Sequence, residues 1–130
     1  MNNQAKEADE QKALVRWLKL MKITHFAPGN ENLHSGIIRQ WVKPASLAAK
    51  IIAMIENKLK AMGKRKGVND LVVLLPGAKA IFIEMKRKKG GVVSQEQAEW
   101  RKEIKALGFE AHICHGFDEA MLIIKEQLNG

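Results

Sequence analysis

Asp70, Glu84 and Lys86 are charged residues set in otherwise apolar sequence. Asp70 opens the run LVVLL, and Glu84 and Lys86 lie near the end of AIFIEMK. Charge inside an apolar strand is costly unless it is paired or bound to a metal, so the pattern asks for a reason. Successive side chains on a strand face opposite ways, which puts Phe82, Glu84 and Lys86 on one face and Ile81, Ile83 and Met85 on the other. A carboxylate and an ammonium then stand two residues apart. If Asp70 converges on Glu84, two carboxylates beside a lysine suit a hard divalent cation. Mg²⁺ accepts one or two carboxylates, keeps several waters and completes its shell with phosphate oxygens. Such an ion offsets charge on a phosphate under attack and lowers the pKa of an attacking water. The lysine would orient that water or neutralise the transition state. The plain alternative is a solvated Glu–Lys pair and an aspartate at a strand end.

Whether the two carboxylates meet is a matter of parity. Pro76-Gly77-Ala78-Lys79 is turn chemistry between the two strands. A two-residue turn at Pro76-Gly77 would pair Asp70 with Ile83 and set the carboxylates on opposite faces. A three-residue loop from Pro76 to Ala78 would pair Asp70 with Glu84 directly. Type II Pro-Gly turns splay hairpin strands, whereas three-residue loops with a left-handed glycine are common. The expectation is a loop of three or five residues around Gly77, or a bulge within Asp70 to Lys86, with both carboxylates close enough to share one cation.

The elements that must position these groups follow from periodicity. From about Lys6 to Met21, Ala13, Leu14, Trp17, Leu18 and Met21 recur at helical spacing. Ile23 to Ala27 reads as a short strand ended by Pro28-Gly29-Asn30. Glu31 to Pro44 is irregular in pattern, and its apolar cluster Ile37, Ile38, Trp41 and Val42 reads as core or as a dimer patch. Ser46 reads as an N-cap for a helix with the stripe Leu47, Ile51, Ile55, Leu59 and Met62, stopped by Gly63. Strands follow over Asp70 to Leu75 and Ala80 to Lys86. Ser94-Gln95-Glu96-Gln97 is a capping box that starts a helix running to Leu107 and closed by Gly108. Phe109 to Cys114 is another strand, and Phe117-Asp118 offers a staple and N-cap for a last helix ending near Leu128. The order α-β-α-β-β-α-β-α describes an α/β fold, a mixed sheet flanked by helices, in one domain over residues 1–130.

Lys and Arg number 22 against 14 Asp and Glu, a net +8 that attracts polyanions such as nucleic acid or acidic lipid. The longest purely apolar runs, Leu71 to Leu75 among them, are far short of the ~20 residues of a bilayer span, so no membrane partner is expected. The N-terminus is polar, without an apolar stretch before a cleavage site. A lone Cys114 rules out an internal disulfide and suits a reducing compartment. His112, Cys114 and His115 lack a second ligand pair at a zinc-finger spacing and read as strand positions with His115 exposed. Lys64-Arg65-Lys66 and Arg87-Lys88-Lys89 flank the strand ends that carry the acids, a placement suited to phosphate contact, and Gly90-Gly91 makes the second run a flexible flap.

The stretch from Lys66 to Cys114 resembles the virus-type replication-repair nuclease domain, a branch of the PD-(D/E)xK nuclease superfamily. The resemblance rests on Gly67-Val68-Asn69-Asp70, Glu84-Met85-Lys86 and Ser94-Gln95-Glu96-Gln97, in order and at suitable spacing. It extends upstream to Glu7 and Gln11, four apart and followed by Trp17, and to Phe26-Ala27-Pro28-Gly29-Asn30. Asn69 stands where the family usually has proline, which implies a slightly different start to the strand rather than lost catalysis. Glu10 competes with Glu7 for the role of first-helix acid, and spacing to Gln11 and Trp17 favours Glu7.

The resemblance implies a restriction-endonuclease-like sheet and metal-dependent hydrolysis of phosphodiester bonds in DNA. It implies catalytic roles for Glu7, Asp70, Glu84, Lys86 and Gln97, and a metal site at Asp70, Glu84 and Met85 for Mg²⁺, with Mn²⁺ able to substitute. Gln97 shares a helix face with Trp100, Ile104 and Leu107, so it serves the site, the capping box, or both. Lys64, Arg65, Lys66, Arg87, Lys88 and Lys89 are the expected DNA contacts. Stand-alone relatives further imply a homodimer that cuts branched DNA such as Holliday junctions, in the cytoplasm of a bacterial or phage-infected cell. Other readings are a basic DNA-binding module without catalysis, which would lack the acids, and a restriction-type nuclease, for whose base-reading loops this length leaves little room.

Overall fold

The computed structural model describes residues 3–29 and 33–130. The chain divides into two compact units, Met1–Gly29 with Gly67–Gly130, and Asn30–Lys66. Asn30, expected in a turn, and Glu31 lie outside the described residues. Among the described residues no helix is long and apolar enough to cross a membrane.

The first unit holds a four-stranded sheet in the order β1-β2-β3-β4, formed by β1 (Thr24–Phe26), β2 (Leu71–Leu75), β3 (Lys79–Lys86) and β4 (Glu110–His115). β1, β2 and β3 are antiparallel neighbours, and β4 runs parallel to β3. The parallel pair requires a crossover, supplied by α4 (Gln95–Ala106). Leu71, Val73, Leu75, Ile81, Ile83 and Met85 point to one face. They are buried in a core with Leu14 and Leu18 of α1 (Asn3–Leu20) and Ala120 and Ile124 of α5 (Phe117–Asn129). Phe82, Glu84 and Lys86 belong to the opposite face, and Trp100 and Gln97 of α4 line a cleft with Phe82 and Glu84. The mixed sheet between helices is consistent with a restriction-endonuclease-like fold.

The hairpin has the expected odd parity. Leu75 pairs with Lys79 and Leu71 with Ile83, which leaves Pro76, Gly77 and Ala78 as a three-residue loop. Gly77 takes φ +82°, and Ala78 follows in the same left-handed region at +59°. α4 starts with the complete capping box: Ser94 Oγ accepts from Gln97 N at 3.1 Å, and Gln97 Oε1 accepts from Ser94 N at 3.0 Å.

α5 departs from expectation. Its N-cap is Gly116 without a side-chain cap, and Asp118 sits inside the first turn. The open Phe117 N–H is instead donated to Glu10 Oε2 of α1 at 2.7 Å, so a distant carboxylate does the work expected of Asp118. The Phe117 ring meets Trp17 edge-on, with centroids 6.3 Å apart.

The second unit contains two helices where one was expected. The segment read as irregular carries α2 (Leu33–Trp41), which packs on α3 (Ala45–Ala61). α2 is short and has a glycine inside it, so its Leu33, Ile37, Trp41 repeat was easy to miss. None of its residues is buried; Ile37 and Trp41 are 60% and 75% exposed while Ile38 and Val42 are half-buried, so of the cluster read as core or dimer patch the Ile37–Trp41 side is open. α3 is capped by Pro44 rather than Ser46, since proline has no N–H to leave unsatisfied at a helix start. Its buried positions are Ala48 and Ile52, one step round from the expected stripe, whose ends Leu47 and Met62 are exposed. His34 Nε2 lies 2.7 Å from Glu56 Oε1, which ties α2 to α3.

Two left-handed glycines separate backbone strain from close contact. A Cβ on Gly77 would meet open space, so Gly77→Ala should cost only the strain, about 1–2 kcal/mol. A Cβ on Gly67, at φ +87°, would stand 2.5 Å from the Glu96 carbonyl carbon in the first turn of α4. Gly67→Ala should therefore cost clearly more in urea denaturation; equal costs would show that α4 yields freely there.

Candidate active site

The register that pairs Leu71 with Ile83 continues to place Asp70 opposite Glu84, and directly opposed residues share a face. Asp70 Oδ2 accepts the Met85 N–H at 2.8 Å. Glu84 Oε1 accepts from Gln97 Nε2 at 3.0 Å, while Gln97 Oε1 accepts from Lys86 Nζ at 3.1 Å. The same amide oxygen takes the Ser94 N–H, so Gln97 is at once the helix cap and the bridge between Glu84 and Lys86. Glu84 and Lys86 are 7% and 5% exposed, so these charges work where water screens them little.

Burial and the nearby Asp70 carboxylate push the Glu84 carboxyl far up, to about 9; Lys86 opposes the rise and Glu7 adds to it. Burial also raises Asp70, against the Met85 N–H, a hydrogen bond with Glu84 and the Lys86 charge. Two carboxyls this close cannot readily both ionise, and without a cation they share a proton. Glu84 Oε2 is buried and takes no N–H or hydroxyl donor, so only a proton shared with Asp70, or a cation, can satisfy it. Such an oxygen beside a second carboxylate is a ready donor pair for a divalent ion, so the residues present fit one.

Among the described residues no three His, Cys, Asp or Glu side chains converge as a metal cage. The Met85 side chain is buried in the core on the other face, so only its main chain borders the acids. Glu7 lies at the rim: its charge reaches Glu84, and its Oε1 is 3.6 Å from where a Gly91 Cβ would be. That same Cβ would be 3.3 Å from the Lys86 stem, so the Gly90-Gly91 stretch expected as a flap lies against Lys86.

The basic residues divide. Arg87 is half-buried with its guanidinium against Gly90, Lys88 Nζ is 4.0 Å from Glu10 Oε1, and Lys89 is exposed. Lys64, Arg65 and Lys66 belong to the second unit, where Lys64 Nζ lies 3.6 Å from Glu56. His112 Nε2 contacts Glu110 at 2.8 Å, and a ring nitrogen of His115, which is half-buried rather than exposed, is 3.2 Å from the Arg87 carbonyl. Burial pushes the Cys114 thiol up to about 12, where it stays protonated.

Sequence reasoning gave Asn69 no partner. It is 4% exposed; its Nδ2 donates to Leu71 O at 2.6 Å and its Oδ1 accepts the Trp100 indole N–H at 2.9 Å. The residue before Asp70 thus joins the start of β2 to α4. A buried polar residue in an apolar context was the only available signal.

The family model of the VRR-NUC domain matches residues 5–118, nearly the whole chain. Comparison with curated proteins gives no match, and comparison with solved structures gives none either.

The raised Glu84 carboxyl has a measurable consequence. The folded protein keeps that proton to about pH 9, whereas the unfolded chain releases it near 4.5. Between those values the unfolded state binds fewer protons, so metal-free stability falls as pH rises, by at most about 1.4 kcal/mol per pH unit. Glu84→Gln cannot ionise. Its thermal midpoint should exceed that of the native chain near neutrality, with the gap closing toward pH 4.5. A gap independent of pH would show that Glu84 is not held protonated.

Proposed function

This chain belongs to the VRR-NUC domain family, a family of nuclease domains, and on that premise we propose that it is a metal-dependent endonuclease acting on branched DNA. The observation that carries the proposal is the convergence of Asp70 and Glu84 beside the buried Lys86, with one Glu84 oxygen that no N–H donor reaches. A basic module that only bound DNA would have no use for a buried acid held against a second, half-buried one.

In this reading Asp70, Glu84 and the main chain at Met85 hold Mg²⁺, or Mn²⁺ in its place. The ion offsets charge on the scissile phosphate and makes a bound water a better nucleophile. Lys86 brings a positive charge to the phosphate, where negative charge grows during attack. Gln97 keeps Lys86 and Glu84 in fixed relation through its two amide atoms. Glu7 supplies a third acidic group at the rim. Lys89, and to a lesser degree Arg87 and Lys88, contact phosphates beside the cut, while Lys64, Arg65 and Lys66 contact phosphates from the second unit. The open α2 face with Leu33, Ile37 and Trp41 is the dimer contact, and a pair of such sites suits a four-way junction. The whole chain serves as one nuclease domain, working in the cytoplasm of a bacterial or phage-infected cell.

The direct test offers junction, flap, duplex and single-stranded DNA side by side with Mg²⁺ or Mn²⁺. Cleavage should be metal-dependent and fastest on the junction. Asp70→Asn and Glu84→Gln should each slow it by about 100-fold or more while junction binding persists. Near-normal rates in either variant would sink the site.

The divided basic run sets a second expectation. Changing Arg87, Lys88 and Lys89 together to Ala should lower the log–log salt slope of duplex binding by about 0.9, one phosphate contact, rather than by three. An unchanged slope would return the run to a solvated loop.

A further inference from the structure

Two acids one turn apart on α1 have opposite surroundings. Glu7 lies at the rim of the site: a Cβ on Gly91 would stand 3.6 Å from Glu7 Oε1 and 3.3 Å from the Lys86 side chain, and the Glu7 charge reaches Glu84. Glu10 is engaged elsewhere: Oε2 accepts the Phe117 N–H at 2.7 Å, Oε1 is 4.0 Å from Lys88 Nζ, and Oε2 is 3.4 Å from where a Cβ on Gly116 would stand. Gly116 N in turn donates to the Lys86 carbonyl at 2.9 Å. The start of α5 is therefore bonded on one side to the main chain of Lys86 and on the other to α1.

We propose that Glu10 is a positioning residue: by capping α5 it fixes the rotation and axial placement of α1 that hold Glu7 beside Glu84. Residues three apart on a helix lie on adjoining parts of one face, so a carboxylate anchored at position 10 leaves position 7 little freedom. Farther along α1, Leu14 and Leu18 are buried in the core, but they lie two and three turns from Glu7 and restrain it less. Glu10 is a tertiary anchor a single turn from Glu7. Both Glu10 oxygens face α5 and Lys88 rather than the Asp70–Glu84 pair, which leaves Glu7 as the first-helix acid toward that pair.

This inference rests on the metal-site reading of Glu7, and the experiment separates the two. Mn²⁺ binding to the full chain, measured by calorimetry without DNA, is the readout. Glu7→Gln should weaken binding about tenfold, as expected if one nearby charge contributes about 1.4 kcal/mol. Glu10→Ala should reproduce most of that loss, and adding it to Glu7→Gln should change affinity by less than about twofold. Glu10→Gln keeps an oxygen that can accept the Phe117 N–H and should stay within about twofold of the native chain. If Glu10→Ala fails to fold, Glu10→Gln alone decides, because a role for the Glu10 charge itself would weaken binding in that variant too. Unchanged affinity in Glu7→Gln overturns the reading of Glu7 and this inference with it. A loss in Glu7→Gln without one in Glu10→Ala, or full additivity of the two, overturns only the positioning role.

Discussion

Two carboxylates on one face of a largely buried sheet repel each other, and both lose hydration when the helices close over them. Much of the first unit can be understood as the answer to that conflict. The Met85 N–H holds one oxygen of Asp70, the Gln97 amide holds one of Glu84, and the Lys86 ammonium opposes the rise in both. What remains uncompensated is Glu84 Oε2. A protein selected for stability alone would place Gln there. Keeping the acid leaves a local instability that a divalent cation would remove, so affinity for such an ion and strain in its absence would have the same physical origin.

The helix over this face is tied to it by economy of means. An α-helix must satisfy its first N–H groups, and α4 does so with a serine and a glutamine from its own start. That glutamine also spans Glu84 and Lys86, so the start of α4 cannot slide without pulling on the site. Gly67 lets the chain before Asp70 approach the first turn of α4 where any side chain would collide. Asn69 and Trp100 add a second bond between the same two segments. Strand start and helix start thus move as one piece, which keeps a site of only three charged residues in shape.

Much of this was legible beforehand. The odd loop followed from the chemistry of Pro76-Gly77-Ala78, and it set the face of Asp70. Alternation along AIFIEMK assigned Glu84 and Lys86 to one side. Ser94 and Gln97 announced α4, and the Gln97 side chain both closes the capping box and bonds Glu84 and Lys86. The failures have a common character. Asp118 was a reasonable cap until a carboxylate from α1 took the bond, and Ser46 gave way to Pro44. The apolar residues of α2 looked like core because composition reports hydrophobicity, not whether anything covers it.

By itself, the amino-acid sequence determined the strand faces and the start of α4, favoured the odd hairpin, and singled out two acids and a lysine as candidates. These depend on φ/ψ preferences, side-chain alternation and bonds spanning a few residues, which act wherever the chain lies in space. Only the tertiary structure decided which first-helix acid stands beside Glu84 and which lysines keep a carboxylate partner. It also decided that Asn69 would find Trp100. Glu10 and Phe117 are 107 positions apart, and their bond exists only because α1 and α5 cover the same face of one sheet. No local pattern encodes such a pairing, since it follows from how the buried apolar faces pack together.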